Sequence, residues 1–143
     1  MWKKISNLTD LDKLAQSLIL FLLPDTYLLL KGKLGVGKTA LTRLIAKHLK
    51  IKQKIVSPSF TILQQYSISK NYYLNHFDFF RLSPKEDLMI FADLIIGNVN
   101  IIEWPENNPQ FWQDKDYIKV EMVRKEAEIR LVKIYLGNKP HKG

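Results

Sequence analysis

Apolar positions along the chain follow two periods. Leu11, Leu14, Ala15, Leu18 and Leu22 recur at helical spacing. Thr9, with Asp12 three residues on, reads as the N-cap and its acid, so a helix is expected over residues 9–21. Pro24 and Asp25 turn the chain, and residues 26–31 are then nearly all apolar, the pattern of a strand buried on both faces. After a glycine-rich turn, Leu41, Leu44, Ile45 and Leu49 predict a helix over residues 38–49. Strands are expected at residues 55–56, 60–66 and 72–77. Ser83 and Pro84 read as a cap and first helical position, opening a helix to about Ile95 that Gly97 and Asn98 end. Val99 to Glu103 is a second buried strand, stopped by Trp104 and Pro105, and residues 117–123 and 129–136 alternate as a hairpin. The order predicts a single α/β domain over residues 1–143. Its sheet should be mostly parallel and flanked by helices, with an antiparallel C-terminal hairpin.

Composition narrows the chemistry. A chain of 143 residues with 46% hydrophobic side chains can bury one ordinary core. It holds no cysteine, which excludes a disulfide scaffold, thiolate metal sites and a cysteine nucleophile. The longest apolar run, residues 17–23, falls far short of the roughly 20 residues that span a bilayer. Asp10, Asp12 and Lys13 break the pattern of a signal peptide. The expectation is a soluble, cytoplasmic protein with no membrane partner. Net charge is +8, concentrated in residues 1–56 with 11 basic and 3 acidic side chains. Such a surface suits phosphates or RNA. Eighteen of the 22 basic residues are lysine, however, and a lysine-rich composition produces the same surplus.

The strongest signal is the stretch G-K-L-G-V-G-K-T at residues 32–39, a full match to G-x-x-x-x-G-K-[ST] between a predicted buried strand and a predicted helix. Gly32, Gly35 and Gly37 allow the backbone to wrap a phosphate, and its N–H groups, with those of Val36 and Ala40 at the helix start, face the anion. Lys38 is the candidate for the β- and γ-phosphates, and the Thr39 hydroxyl for Mg²⁺. This is a nucleotide-binding loop.

Such a loop needs an acid at the carboxyl end of a neighbouring strand. Two positions qualify, Asp78 after the strand of residues 72–77 and Glu103 after its apolar run. Residues 57–61, Ser-Pro-Ser-Phe-Thr, lie where switch-bearing members of this class place a hydroxyl that senses the γ-phosphate; alone they are also a serine-proline turn into a strand. His76 reads as a packed strand histidine, and His48 and His141 as surface residues.

Taken together, these segments resemble the TsaE (YjeE) family, P-loop ATPases of bacterial tRNA threonylcarbamoyladenosine synthesis. The likeness rests on residues 32–39, Ser57-Pro-Ser-Phe-Thr61, His76-Phe-Asp-Phe-Phe-Arg-Leu82 and Ile102-Glu-Trp-Pro-Glu106, in the family's order and over nearly the whole chain. The resemblance implies an accessory ATPase with ATP and Mg²⁺ as cofactors. Its partners would be a TsaD-like threonylcarbamoyl transferase and a TsaB-like paralogue, with tRNA touched indirectly or weakly. The base modified would be the adenosine 3′ of the anticodon. It further implies that Lys38 binds phosphate and that Thr39 and Glu103 ligate Mg²⁺. Asp78 joins the catalytic carboxylates, Ser57, Ser59 and Thr61 form a switch-like segment, Trp104 lies near the nucleotide, and Thr9 contacts its base or sugar. Ser59 stands where the family usually has threonine, and Phe80 where it has tyrosine, which removes a hydroxyl.

The expected chemistry is slow ATP hydrolysis by an incomplete site. Of four arginines, Arg43 points along the loop's helix away from the phosphates and Arg124 and Arg130 lie in the tail, leaving Arg81 near the active edge, where it serves either the site or a partner. Two other readings stand beside it. A small-molecule kinase would need a lid rich in arginine, for which the chain has little room. A basic RNA-binding module would stack bases on Phe60, Tyr72 and Tyr73, which alternate like ordinary strand core.

Overall fold

A computed structural model describes residues 1–56 and 61–138. They form a seven-stranded mixed sheet in the order β1-β7-β6-β2-β5-β4-β3. The strands are β1 (Lys3–Ile5), β2 (Tyr27–Lys31), β3 (Leu63–Ser69), β4 (Tyr72–Asp78), β5 (Val99–Glu103), β6 (Tyr117–Arg124) and β7 (Arg130–Gly137). The helices are α1 (Leu8–Ile19), α2 (Lys38–His48) and the single turn α3 (Ala92–Ile95). The four central strands, β6, β2, β5 and β4, run parallel, and antiparallel pairs flank them on both sides. The C-terminal hairpin is β6 with β7, as expected.

The all-apolar run of β2 serves both faces of the sheet. Leu28 and Leu30 join α1, α2, Ile101, Val120 and Met122 in one core cluster. Tyr27 and Leu29 join Phe77, Phe79 and Ile102 in a second, where Phe111 packs edge-on against Tyr27, Phe77 and Phe79. A strand with its side chains buried on both sides can only be central, which is why β2 and β5 sit in the middle of the sheet.

Several expectations are corrected, among them the strand expected over residues 60–66, which is β3 at Leu63–Ser69. The cap of α1 is Asn7, not Thr9: the Asn7 side chain accepts from the Asp10 N–H at 2.8 Å, and the Asp10 carboxylate accepts from the Ser6 N–H at 2.9 Å. Thr9 lies exposed within the first turn. The helix expected over residues 83–95 is reduced to a 3₁₀ turn (Met89–Phe91) and α3. The carbonyls it would have used are taken: Asn108 donates to Ser83 and Glu86, and Gln110 donates to Glu86. Residues 55–56 form no strand, because side chains bind their backbone instead; the Tyr66 hydroxyl contacts both polar backbone atoms of Val56, and Arg43 donates to Ile55. Edge strand β1 carries too short and too lysine-rich a sequence to be predicted, and pairs antiparallel with β7. His48 is only half-exposed and bonds Asp12 of α1 at 2.8 Å, so it ties α2 to α1 rather than facing solvent alone.

The cap assignment is testable. Asn7→Ala should cost about 1 kcal/mol of stability in denaturant unfolding, the usual loss for an N-cap, while Thr9→Ala should change it little. The opposite ranking would return the cap to Thr9.

Candidate functional site

The register of the parallel strands decides what meets what. Leu30 of β2 lies opposite Glu103 of β5, and Glu103 opposite Asp78 of β4. Both carboxylates therefore stand at the carboxyl ends of adjacent strands, beside the loop that leaves β2. On β4, His76 and Asp78 are two residues apart and share a face with Leu74, the face that packs against α1 and α2.

The loop of residues 32–37 turns through left-handed backbone at Gly35 (φ 76°) and Gly37 (φ 121°), conformations that cost a residue with a Cβ dearly. Gly37 is the N-cap of α2, with no side-chain cap, so the free N–H groups of the first turn remain open to an anion. Val36 is buried and packs in the main core, whereas Ala40 and Thr39 are half-buried on the first turn.

Lys38 is only 5% exposed. Its ammonium donates to the Gly32 carbonyl and stands 4.0 Å from the centre of the Trp104 ring. Burial pulls its pKa below the ordinary lysine value, and the charges of Glu103, Glu106 and Asp78 push back. Trp104 itself adopts a left-handed backbone (φ 58°, ψ 48°) and its ring leans on Phe80 at 4.9 Å. Backbone strain of this kind persists where the surroundings hold a side chain in one place.

Thr39 and Glu103 come together: the threonine hydroxyl is 3.5 Å from one Glu103 oxygen. That same oxygen is 2.6 Å from Nε2 of the fully buried His76. His76 is thus packed in its strand, as expected, and also orients Glu103, a role the sequence reading missed. The His-x-Asp spacing, which puts both side chains on one face of a strand, was the available signal. Among the described residues no group of three or more His, Asp or Glu side chains is placed to hold a metal ion unaided. The Thr39 hydroxyl and the Glu103 carboxylate are nonetheless hard oxygen donors of the kind Mg²⁺ takes. These two side chains would be the protein's donors to such an ion.

Asp78 is half-buried, and its carboxylate accepts from the Phe80 N–H at 2.8 Å. Ser57 and Ser59 lie outside the described residues. Thr61 is exposed and accepts from the Gln64 amide at 3.1 Å. Its neighbour Ile62 accepts the Asp78 N–H, which brings this end of the segment beside Asp78. A groove of about 250 Å³ runs between the start of α1 and the loop, lined by Asn7, Leu8, Leu11, Val36, Gly37 and Ala40 among others. Thr9 is not part of that lining.

The arginines of the tail are misjudged by the sequence reading. Arg124 donates to the Gly35 carbonyl at 3.0 Å and Arg130 to the Val36 carbonyl at 2.8 Å, so the hairpin brings both to the loop. They meet its carbonyls rather than its N–H face.

A family model described as threonylcarbamoyl adenosine biosynthesis protein TsaE matches residues 5–132. The chain belongs to the TsaE family. A relative from Rickettsia felis, named tRNA threonylcarbamoyladenosine biosynthesis protein TsaE, is 38% identical over 105 residues, covering 71% of this chain and 61% of that protein. One of the same name from Synechocystis is 35% identical over 113 residues, covering 74% and 71%. The first of these matches spans about three-fifths of the TsaE relative's length. In fold, the crystal structure of Bacillus subtilis YdiB superposes with a TM-score of 0.70 at 22% identity, covering 96% of this chain and 84% of that one. No helix among the described residues is long and apolar enough to cross a membrane.

Asp78 gives this site a pH signature. Burial raises its carboxyl pKa above the ordinary 3.8 and Glu103 adds to the rise, while the Phe80 N–H, His76 and Lys38 oppose it. The folded protein then holds this proton more tightly than the unfolded chain, so the associated stability is present in acid and is lost as pH climbs through the raised value. Asp78→Asn carries no charge to desolvate. Without nucleotide or Mg²⁺ it should melt above wild type near neutral pH, with the gap closing below about pH 4. A variant that melts lower at neutral pH would contradict this.

Proposed function

We propose that this protein binds ATP with Mg²⁺ and hydrolyses it slowly, as the accessory ATPase of tRNA threonylcarbamoyladenosine synthesis. In this reading it works with a TsaD-like transferase and a TsaB-like paralogue, in the cytoplasm. The reading is carried by the convergence of Lys38, Thr39, Glu103 and Asp78 around the loop at the carboxyl ends of β2, β5 and β4. Membership of the TsaE family supplies the pathway.

Each residue has a task in that reading. The loop N–H groups and the Lys38 ammonium hold and orient the phosphates. Lys38 meets them from a desolvated position, where its charge counts for more than it would in water. Thr39 and Glu103 would hold Mg²⁺, which when bound neutralises charge developing on the phosphoryl oxygens. His76 keeps the Glu103 carboxylate turned towards Thr39. Asp78, one strand further out, orients the attacking water. Trp104 covers Lys38 and limits access of bulk water to it.

Slow turnover follows from where the arginines are. Arg124 and Arg130 are bonded to loop carbonyls, and Arg43 donates to Ile55. Arg81 is exposed just past β4. A transition-state arginine is worth roughly 10³–10⁵ in rate, so a partner that supplies or redirects one would speed the reaction.

ATP turnover by the purified protein, with and without a TsaB–TsaD pair, tests this. Wild type should turn over slowly alone and faster with the pair. Glu103→Ala should lose roughly 10²-fold or more in both conditions, the scale for removing one preorganised transition-state group. Full activity without the pair, or an unaffected Glu103→Ala, would overturn the reading. Phosphoryl transfer to a small molecule would replace it with the kinase reading.

A further inference from the structure

The hairpin of β6 and β7 crosses beside the loop, and two guanidinium groups bridge the two. Arg124 and Arg130 face each other in the last register pair of the hairpin. Each donates one arm to the same acceptor, the Ala127 carbonyl in the turn, at 3.1 Å. With its other arm Arg124 reaches the Gly35 carbonyl at 3.0 Å, and with Nε Arg130 reaches the Val36 carbonyl at 2.8 Å. The turn is closed by its own backbone bonds from Lys125 and Glu126 to Ile129 and back. Below it, the Met122 side chain of β6 comes within 3.2 Å of where a Cβ on Gly37 would stand. The loop is therefore backed along residues 35–37 by one continuous element.

The geometry has a consequence for anion binding. A loop that turns its N–H groups inward to a phosphate turns carbonyls outward, and those carbonyls need donors or they will pull the backbone towards other partners. Here the donors are two charged forks anchored at a third point. An arginine can span Ala127 and the loop at once, because its five N–H groups lie in one rigid plane; a lysine carries the charge but not the fork. Charge-assisted bonds of this kind are among the stronger ones available to a backbone carbonyl.

We propose that Arg124 and Arg130 are positioning residues that staple the phosphate loop to the hairpin turn, holding the Gly35 and Val36 carbonyls outward so that the loop is set for a triphosphate before one arrives. The proposal deepens the ATP-binding reading and rests on it for its functional consequence. Ordering the loop in advance removes an entropy cost that binding would otherwise carry, so the staples act on affinity.

Hydrogen exchange of the ligand-free full chain, followed by mass spectrometry, tests the staples without any nucleotide. Arg124→Gln and Arg130→Gln should each speed exchange of the Val36 amide, which donates to the Lys33 carbonyl at 3.2 Å, by about tenfold or more, with α1 and β5 unchanged. Arg124→Lys and Arg130→Lys should do much the same, since charge without the fork does not bridge. A binding assay with a non-hydrolysable ATP analogue and with inorganic tripolyphosphate should then show an equal loss for both ligands in the Gln variants. That loss should be roughly tenfold, the lower end for a charge-assisted bond. Unchanged loop exchange in the Gln variants, or full restoration by lysine, would overturn the staples. Faster exchange in a protein whose wild type binds neither ligand would leave the staples standing and remove the ATP reading. The Arg124 variants, at an exposed side chain, keep the test available if an Arg130 variant does not fold.

Discussion

Burying an ammonium group is the constraint to which the rest of this structure answers. Lys38 opens α2 almost out of contact with water, and a lone buried charge of that kind costs several kcal/mol. Every neighbour lowers that cost: the Gly32 carbonyl accepts from it, the Trp104 face lies over it, and Glu103, Glu106 and Asp78 lend their fields. The same neighbours make it useful. A desolvated cation ringed by distant acids exchanges its contacts readily for a polyphosphate, which offers more charge at shorter range.

The sheet supplies those neighbours by topology. Placing β2 between β6 and β5, with β4 next, aligns three strand ends on one edge and puts Glu103 and Asp78 on the same side of the loop. The hairpin occupies the other side, where β6 pairs with β2 and carries Arg124 up to the loop. Acid stands on one flank, and guanidinium on the other satisfies the Gly35 and Val36 carbonyls. The second core cluster, built from Phe77, Phe79 and Phe111, keeps β4 and β5 in register from the opposite face.

What the sequence made legible was local. The phosphate loop is a contiguous eight-residue pattern, and β2 and β5 are unbroken apolar runs whose central position follows from burial alone. What it hid depends on distant partners. The helix expected after Ser83 fails because Asn108, 25 residues further on, takes a carbonyl it needs. Strand β1 exists only because β7 offers an edge. The His76 contact to Glu103 spans 27 residues, and the arginine contacts to the loop span 89 and 94. Counting arginines along the chain placed two of them in a tail, whereas the hairpin folds that tail onto the site. The misplaced cap of α1 is a closer miss: Asn7 and Thr9 both suit the role by residue type, and the bonds from the Asp10 N–H to Asn7 and from the Ser6 N–H to Asp10 separate them.

The most direct check of this account is the affinity of Mg·ATP, measured by calorimetry for wild type and for Lys38→Ala at matched ionic strength. The account predicts binding by wild type and a loss of roughly 10²-fold or more in the variant, the scale of a buried charged contact to phosphate, with the fold at least as stable once the buried charge is gone. Equal affinity in the two proteins would contradict it, because a triphosphate that ignores Lys38 cannot be sitting in this loop.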